Sequence, residues 1–312
     1  MRKRIYLLGI VSVFCLVSCK NISDALKVAT PGGAPAFAQS IVMEKTKSNN
    51  FANTTILSGA DEIKASFLNN SYDLIYAPSN LGASMYNMNA NYQLLAGVTF
   101  GNLYFASTTN ISKVDDLNNK KLVLFGENSI NDMVVKKVLS LNNIDCKISY
   151  LSDTSATKTS FLANNEDNTI YLIADPIKSA CNIALNNKNI NSYYLDVQAL
   201  YKECTGTSGF SQACLFVNKD TYKTRTDDIL KYVSLLEESI KGINNLEFAN
   251  ENNKRIKEQG IIDIPDAVFK SAIKGSNISF VSSKDMKDIF ENTYKDSLSL
   301  IGGKLPDEGF YA

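Results

Sequence analysis

Two carboxylates, Glu127 and Asp175, are the side chains of this 312-residue chain best placed for acid–base or hydrogen-bond-accepting work, because each follows an apolar strand-like run. Their plainer roles are a solvated acid at a helix start for Glu127 and a helix cap for Asp175. The sequence contains no histidine, which excludes Ser-His and Cys-His nucleophiles. Cys146, Cys181, Cys204 and Cys214 are widely spaced and form no CxxC pair, so neither a metal nor a cofactor is expected. Cys204 and Cys214 are open to two readings, a bridge across the turn between them or two buried thiols.

Glycine-rich and polar loops offer a different chemistry, that of holding a ligand. In LKVATPGGAPAFAQ (Leu26 to Gln39) an apolar strand breaks at Pro31-Gly32-Gly33 and restarts as a helix whose free N–H groups can face a bound molecule. The same strand–loop–helix unit recurs at DLIYAPSNL (Asp73–Leu81), KLVLFGENSINDMV (Lys121–Val134) and TIYLIADPIK (Thr169–Lys178). Ser79 and Asn80 suit either an N-cap or a ligand contact. Any one unit alone is an ordinary βα turn, whereas four together suggest one cleft.

The elements that must position these loops alternate strand and helix, which makes the fold class α/β. Helical stripes are expected over Ala36–Lys47, Asp61–Asn69, Ile130–Leu141, Ala156–Ala163 and Thr226–Leu246, with strands at Asn53–Ser58, Tyr72–Ala77, Lys121–Phe125, Lys147–Leu151 and Thr169–Ala174. LLAGVTFGNLYFAS (Leu94–Ser107) reads as a long extended segment bent at Gly97 and Gly101, able to run from one lobe into the next. A second extended run, Phe210–Asn218, suggests the return. The expected division is lobe 1 over 22–106 and 213–312 and lobe 2 over 107–212, with hinge crossings near Tyr104–Thr108 and Phe210–Leu215.

At the N-terminus Arg2-Lys3-Arg4 precedes the apolar run Ile5 to Leu16, and Leu16-Val17-Ser18-Cys19 closes it in small residues before a cysteine. The run is short for a bilayer span, so a signal over 1–18 is expected, then a tether over 19–27; an uncleaved anchor or a plain secretory peptide is the alternative. Basic and acidic residues number 32 each, and removing Arg2, Lys3 and Arg4 leaves 29 against 32. That balance excludes a nucleic-acid footprint.

The lipobox-like LVSC, the opening strand–loop–helix, the middle LNNKKLVLFGENSINDMVVKKVLSLNNI and the ending IGGKLPDEGFYA together resemble the solute-binding lipoproteins of ABC importers, in the branch that takes nitrate, taurine, aliphatic sulfonates and thiamine pyrimidines. The resemblance implies a two-lobed type II periplasmic-binding-protein-like fold, a small-molecule ligand in the cleft, a permease and an ATPase as partners, and a monomer. It also implies diacylation of Cys19 and a place on the outer face of the cell membrane. Ligand contacts carry over to Thr30, Pro31, Gly32, Gly33 and Ala34, to Ser58 and Gly59, to Ser79 and Asn80, to Glu127, Asn128 and Ser129, and to Asp175. A surface lipoprotein without a transport role and an enzyme like those of menaquinone synthesis are the alternatives on the same fold.

Beyond the leader the chain has two arginines, Arg225 and Arg255, both in the C-terminal helical region, so a guanidinium fork for a planar oxyanion is not expected in the cleft. Tyr76, Phe100, Tyr104 and Phe210 are instead candidates to sandwich a flat ring, with Glu127 and Asp175 accepting from its amino groups. The ligand expected on these grounds is an uncharged or amino-bearing organic molecule such as an aminopyrimidine, ahead of taurine or nitrate.

Overall fold

The computed structural model describes residues 24–163 and 168–312. The signal, Cys19 and most of the tether therefore lie outside the described residues. In the first part β1 (Leu26–Pro31) leads to α1 (Ala34–Ala38) and α2 (Ser40–Lys47), β2 (Ala52–Leu57) to α3 (Ala60–Leu68), and β3 (Leu74–Pro78) to α4 (Ser79–Asn87) and β4 (Tyr92–Thr99). Then come β5 (Leu103–Ser107), β6 (Lys121–Phe125), α5 (Ile130–Leu141), β7 (Lys147–Leu151), α6 (Thr154–Ala163), β8 (Thr169–Ala174), α7 (Ile177–Asn186), β9 (Tyr193–Asp196) and α8 (Val197–Thr205). The chain closes with β10 (Ala213–Asn218), α9 (Lys219–Thr224), α10 (Thr226–Asn244), α11 (Ala249–Glu258), α12 (Asp266–Gly275), β11 (Ile278–Ser282) and α13 (Ser283–Tyr294).

These strands form two sheets, one per lobe. The first has the order β11-β4-β10-β3-β1-β2, with β1 parallel to β2 and β3 and with β10 antiparallel to β3 and β4. The second has the order β7-β6-β8-β5-β9, with β6 parallel to β7 and β8 and with β5 antiparallel to β8 and β9. Parallel strands need crossover helices on their faces, which is why apolar runs such as Leu122–Leu124 and Ile170–Ile173 are buried on both sides.

The long extended run of the sequence divides earlier than expected. Leu103–Ser107 pairs with β8 and β9 of the second sheet, so the chain changes lobes at residues 100–102 rather than near Tyr104–Thr108. Gly101 makes the bend at φ +46, where an added Cβ would meet Gln198 at 2.6 Å and the Phe210 ring at 2.7 Å. The return lies at residues 206–212, just before β10. One helix expected over Ala36–Lys47 is two, broken at Gln39, whose buried amide oxygen accepts from the Tyr232 hydroxyl at 3.1 Å.

The C-terminal GFYA is part of the first lobe's core. Phe310 is fully buried among Tyr86, Phe216 and Phe290, with ring centroids 5.1, 6.1 and 5.3 Å away, and Ala312 N donates to Leu94 O at 2.9 Å. Burying such a ring contributes about 1.5–3 kcal/mol. The many asparagines have a conformational use as well: eight of them, among the described residues, hold left-handed backbone angles at turns and helix ends. Cys146, Cys181, Cys204 and Cys214 are free thiols, so Cys204 and Cys214 form no bridge; Cys214 is buried as the other reading has it, whereas Cys204 is half-buried.

Candidate ligand-binding cleft

The carboxyl ends of β1, β3, β6 and β8 face one another across a cavity of about 540 Å³ between the two sheets. Six helices begin at its wall: α1 at Ala34, α3 at Ala60, α4 beside Asn80, α5 at Ile130, α6 at Thr154 and α7 at Ile177. Their first-turn N–H groups lack intrahelical partners, so the wall is rich in backbone donors and in partial positive charge. Pro31, Leu81, Phe125, Pro176, Ile177 and Ile262 supply the apolar surface.

Carboxamides tie the floor together. Gln212, on the return crossing, accepts from Asn102 N at 3.0 Å and donates through Nε2 to Asn131 Oδ1 at 3.3 Å. Asn102, on the outward crossing, donates through Nδ2 to Asp175 O at 2.8 Å, and Asp175 N returns a bond to Asn102 O at 3.1 Å. These bonds join both crossings to the start of α5 and the end of β8. Asn80, Asn102, Asn131 and Gln212 all line the cavity, and among the described residues no lysine or arginine does.

Of the residues expected at the site, Pro31, Gly32, Gly33, Ala34, Asn80, Ser129 and Asp175 line this cavity. Gly33 takes φ +82 just before α1, and Ser129 caps α5 by accepting from Asn131 N at 3.2 Å. Asp175 is 2 % exposed, and its carboxylate is already engaged by Ser179 N at 2.9 Å, Ser179 Oγ at 2.7 Å and Lys178 Nζ at 2.8 Å. Burial pushes its pKa up, against the opposing pull of Lys178 and Ser179.

The others are placed elsewhere. Thr30 is fully buried, and its hydroxyl donates to Pro31 O at 3.0 Å. Ser58 and Gly59 are exposed outside the cavity, where Ser58 N donates to Glu62 at 2.8 Å; Ala60 reaches the wall instead. Ser79 is fully buried against Ser211 O at 2.7 Å and Tyr294 Oη at 2.6 Å, a structural role. Glu127 and Asn128 are exposed and off the wall, because Asn128 takes φ +58 and the loop turns outward before Ser129. Glu127 and Asp175 therefore form no pair in the cavity.

The aromatic sandwich is not formed either. Tyr76 is fully buried and shares a 3.1 Å hydrogen bond with Tyr232, and Phe210 is fully buried against Tyr201. Tyr104 donates to Gly275 O at 3.2 Å beneath Lys178, whose Nζ lies 4.2 Å from the ring centroid, and Phe100 packs beside Gly97 away from the wall. Phe125 is the aromatic side chain that lines the cavity.

Asn102, Asn131, Thr154, Gln212 and Ile262 were not among the expected contacts. A carboxamide directly after Gly101 in one crossing and another inside the second was the available signal, since a polar amide among apolar extended residues needs partners. No group of three or more Cys, Asp or Glu residues able to hold a metal occurs among the described residues.

No family model matches the sequence, and no curated protein matches it. Solved structures do. A protein from Candida albicans, described as having the generic periplasmic binding protein structural fold, superposes with a TM-score of 0.55 at 15% identity, over 91% of this chain and 92% of that one. The chain has the periplasmic binding protein fold. Two further structures of high similarity are an ABC transporter from Parabacteroides distasonis (TM-score 0.77, 19% identity, 93% of this chain and 99% of that one) and the periplasmic aliphatic sulphonate binding protein of Escherichia coli (0.65, 14%, 92% and 90%).

Proposed function

We propose that this chain is the extracytoplasmic solute-binding lipoprotein of an ABC importer, which takes a small organic molecule into the cleft and presents the closed form to a permease. The observation that carries this reading is the cavity itself: both lobes contribute helix starts and carboxamides to one half-open cleft. The names of the structures it resembles point the same way. Import needs no chemistry on the ligand, in keeping with a histidine-free sequence and with Asp175 already engaged. Cleavage of the signal over 1–18 would leave a diacylated Cys19 to hold the protein at the membrane, since two acyl chains give stable attachment. Palmitate labelling of whole cells checks the anchor, with label lost in Cys19→Ala; equal labelling of the variant sinks it.

The wall also speaks to the ligand. Without Glu127, with Asp175 engaged and with Phe125 the aromatic side chain on the wall, the support for an aminopyrimidine is lost. Helix-start amides and carboxamides without a cation favour a ligand whose head accepts hydrogen bonds, such as a sulfonate, carboxylate or carbonyl, and whose body is apolar. Nitrate has no such body and would leave most of the 540 Å³ to water. A thermal-shift screen of alkyl and aryl sulfonates and carboxylates against nitrate and aminopyrimidines tests this. A ligand at about a hundredfold excess over its Kd adds about 2.7 kcal/mol to the folded state. Stabilisation by aminopyrimidines alone overturns the ligand class, and stabilisation by no organic solute overturns the binding role.

A further inference from the structure

Outside the two crossings the lobes meet on two flanks, and the flanks differ. On one, α7 of the second lobe lies along α12 of the first. Ser179 Oγ is 3.1 Å from Ser271 Oγ, the Tyr104 hydroxyl donates to Gly275 O at 3.2 Å, and Ala180 and Ile183 pack against the first lobe's core. The approach is close enough that a Cβ on Gly275 would come within 1.7 Å of Asp175 Oδ2. Asp175, Ser179 and Gly275 are all buried there. On the other flank an open groove separates α5 from the turn at residues 296–300, and it adjoins the central cavity at Ser129, which lines both. One exposed ion pair spans it, Lys137 Nζ to Asp296 Oδ2 at 2.9 Å.

We propose that the α7–α12 seam is a third, fixed connection between the lobes, and that the cleft opens by a swing that keeps this seam closed and parts α5 from the 296–300 turn. A seam with Asp175, Ser179 and Gly275 buried at its centre and the backbone in close approach forfeits much of its dispersion contact if it separates by even about 1 Å, because that attraction decays steeply with distance. An open groove bridged at its rim by a half-buried lysine and an exposed aspartate loses one salt-screened contact there. The easier motion is the one that breaks the second and spares the first. Lys137–Asp296 is then the latch of the moving flank, and the groove is the ligand's way in past Ser129. This holds whether or not the chain serves a transporter, so its test does not depend on the ligand.

The experiment measures inter-label distances by pulsed electron paramagnetic resonance in the unliganded protein, with Cys15, Cys19, Cys146, Cys181, Cys204 and Cys214 replaced by Ala. One nitroxide pair, on Leu141→Cys and Ser299→Cys, spans the groove; the other, on Lys188→Cys and Lys270→Cys, spans the seam. The groove pair should give a broad distribution that moves to longer distances in Lys137→Ala and at high salt, while the seam pair stays narrow and unmoved. Small-angle scattering of the native-cysteine chain supplies an independent reading, in which Lys137→Ala enlarges the radius of gyration and Ser271→Ala does not. A broad seam distribution, equal widening on both flanks, or a groove pair and radius indifferent to Lys137→Ala overturns the proposal.

Discussion

Gln212 shows how much one side chain can organise at the floor of the cleft. Its backbone N donates to Thr99 O and its carbonyl accepts from Ser79 N, both at 3.0 Å, while its amide joins Asn102 to Asn131 across the lobes. Truncation leaves Asn102 N without its partner, and an unsatisfied buried donor costs about 1–3 kcal/mol. Gln212→Ala should therefore lower the free energy of unfolding by that amount, seen as a lower urea midpoint at unchanged slope; an unchanged midpoint with an unchanged slope would show that water replaces the bond freely. Residue identity alone did not reveal such roles. Asp175 and Ser79 are both polar residues at strand ends, yet Asp175 reaches the cavity wall while Ser79 is consumed by Ser211 and Tyr294. The difference lies in which neighbour the fold brings up from far along the chain, and that is not written at the residue itself.

At the scale of elements, much was legible. The strand runs Lys121–Phe125, Lys147–Leu151 and Thr169–Ala174 and the helix Ile130–Leu141 stand as the hydrophobic pattern places them. These are long, periodic, or bounded by turn residues, so local sequence determines them. β9 and α8 were not anticipated, because Tyr193–Asp196 is a four-residue strand without alternation and α8 is set mainly by Asp196, whose carboxylate caps Gln198 N and Ala199 N at 2.8 and 3.1 Å. β11 was missed for a like reason: its place beside β4 depends on pairing with Thr99, Gly97 and Ala96, residues almost two hundred positions away. The split of Leu94–Ser107 between two sheets follows the same rule, since an extended run carries no mark of which sheet each half will join.

For the whole molecule, the buried tyrosines set an alkaline limit. Desolvation is the main cause that pushes Tyr92, Tyr194 and Tyr201 up to about 12, from an ordinary value of 10.0. Below pH about 10 both folded and unfolded chains keep these protons, and the stability is fully present. As pH rises from about 10 toward 12 the unfolded chain ionises first, it binds fewer protons than the folded one, and stability falls. Urea unfolding followed across this window should show a declining midpoint, with the phenolate absorbance of these residues appearing only as the protein unfolds. A midpoint flat to pH 12 would contradict it.

The sequence by itself determined the alternation of strand and helix, the glycine and proline breaks that start helices at strand ends, and the absence of histidine chemistry, because these depend on neighbours a few residues apart or on composition alone. The tertiary structure decided which loops meet. It turned Glu127 and Asn128 outward, drew Tyr76 and Phe210 into the core, and brought Asn102 and Gln212 together on the cleft floor from 110 positions apart. Those outcomes rest on long-range packing and on the pairing of buried amides, whose energies depend on the partner and not on the residue that seeks it.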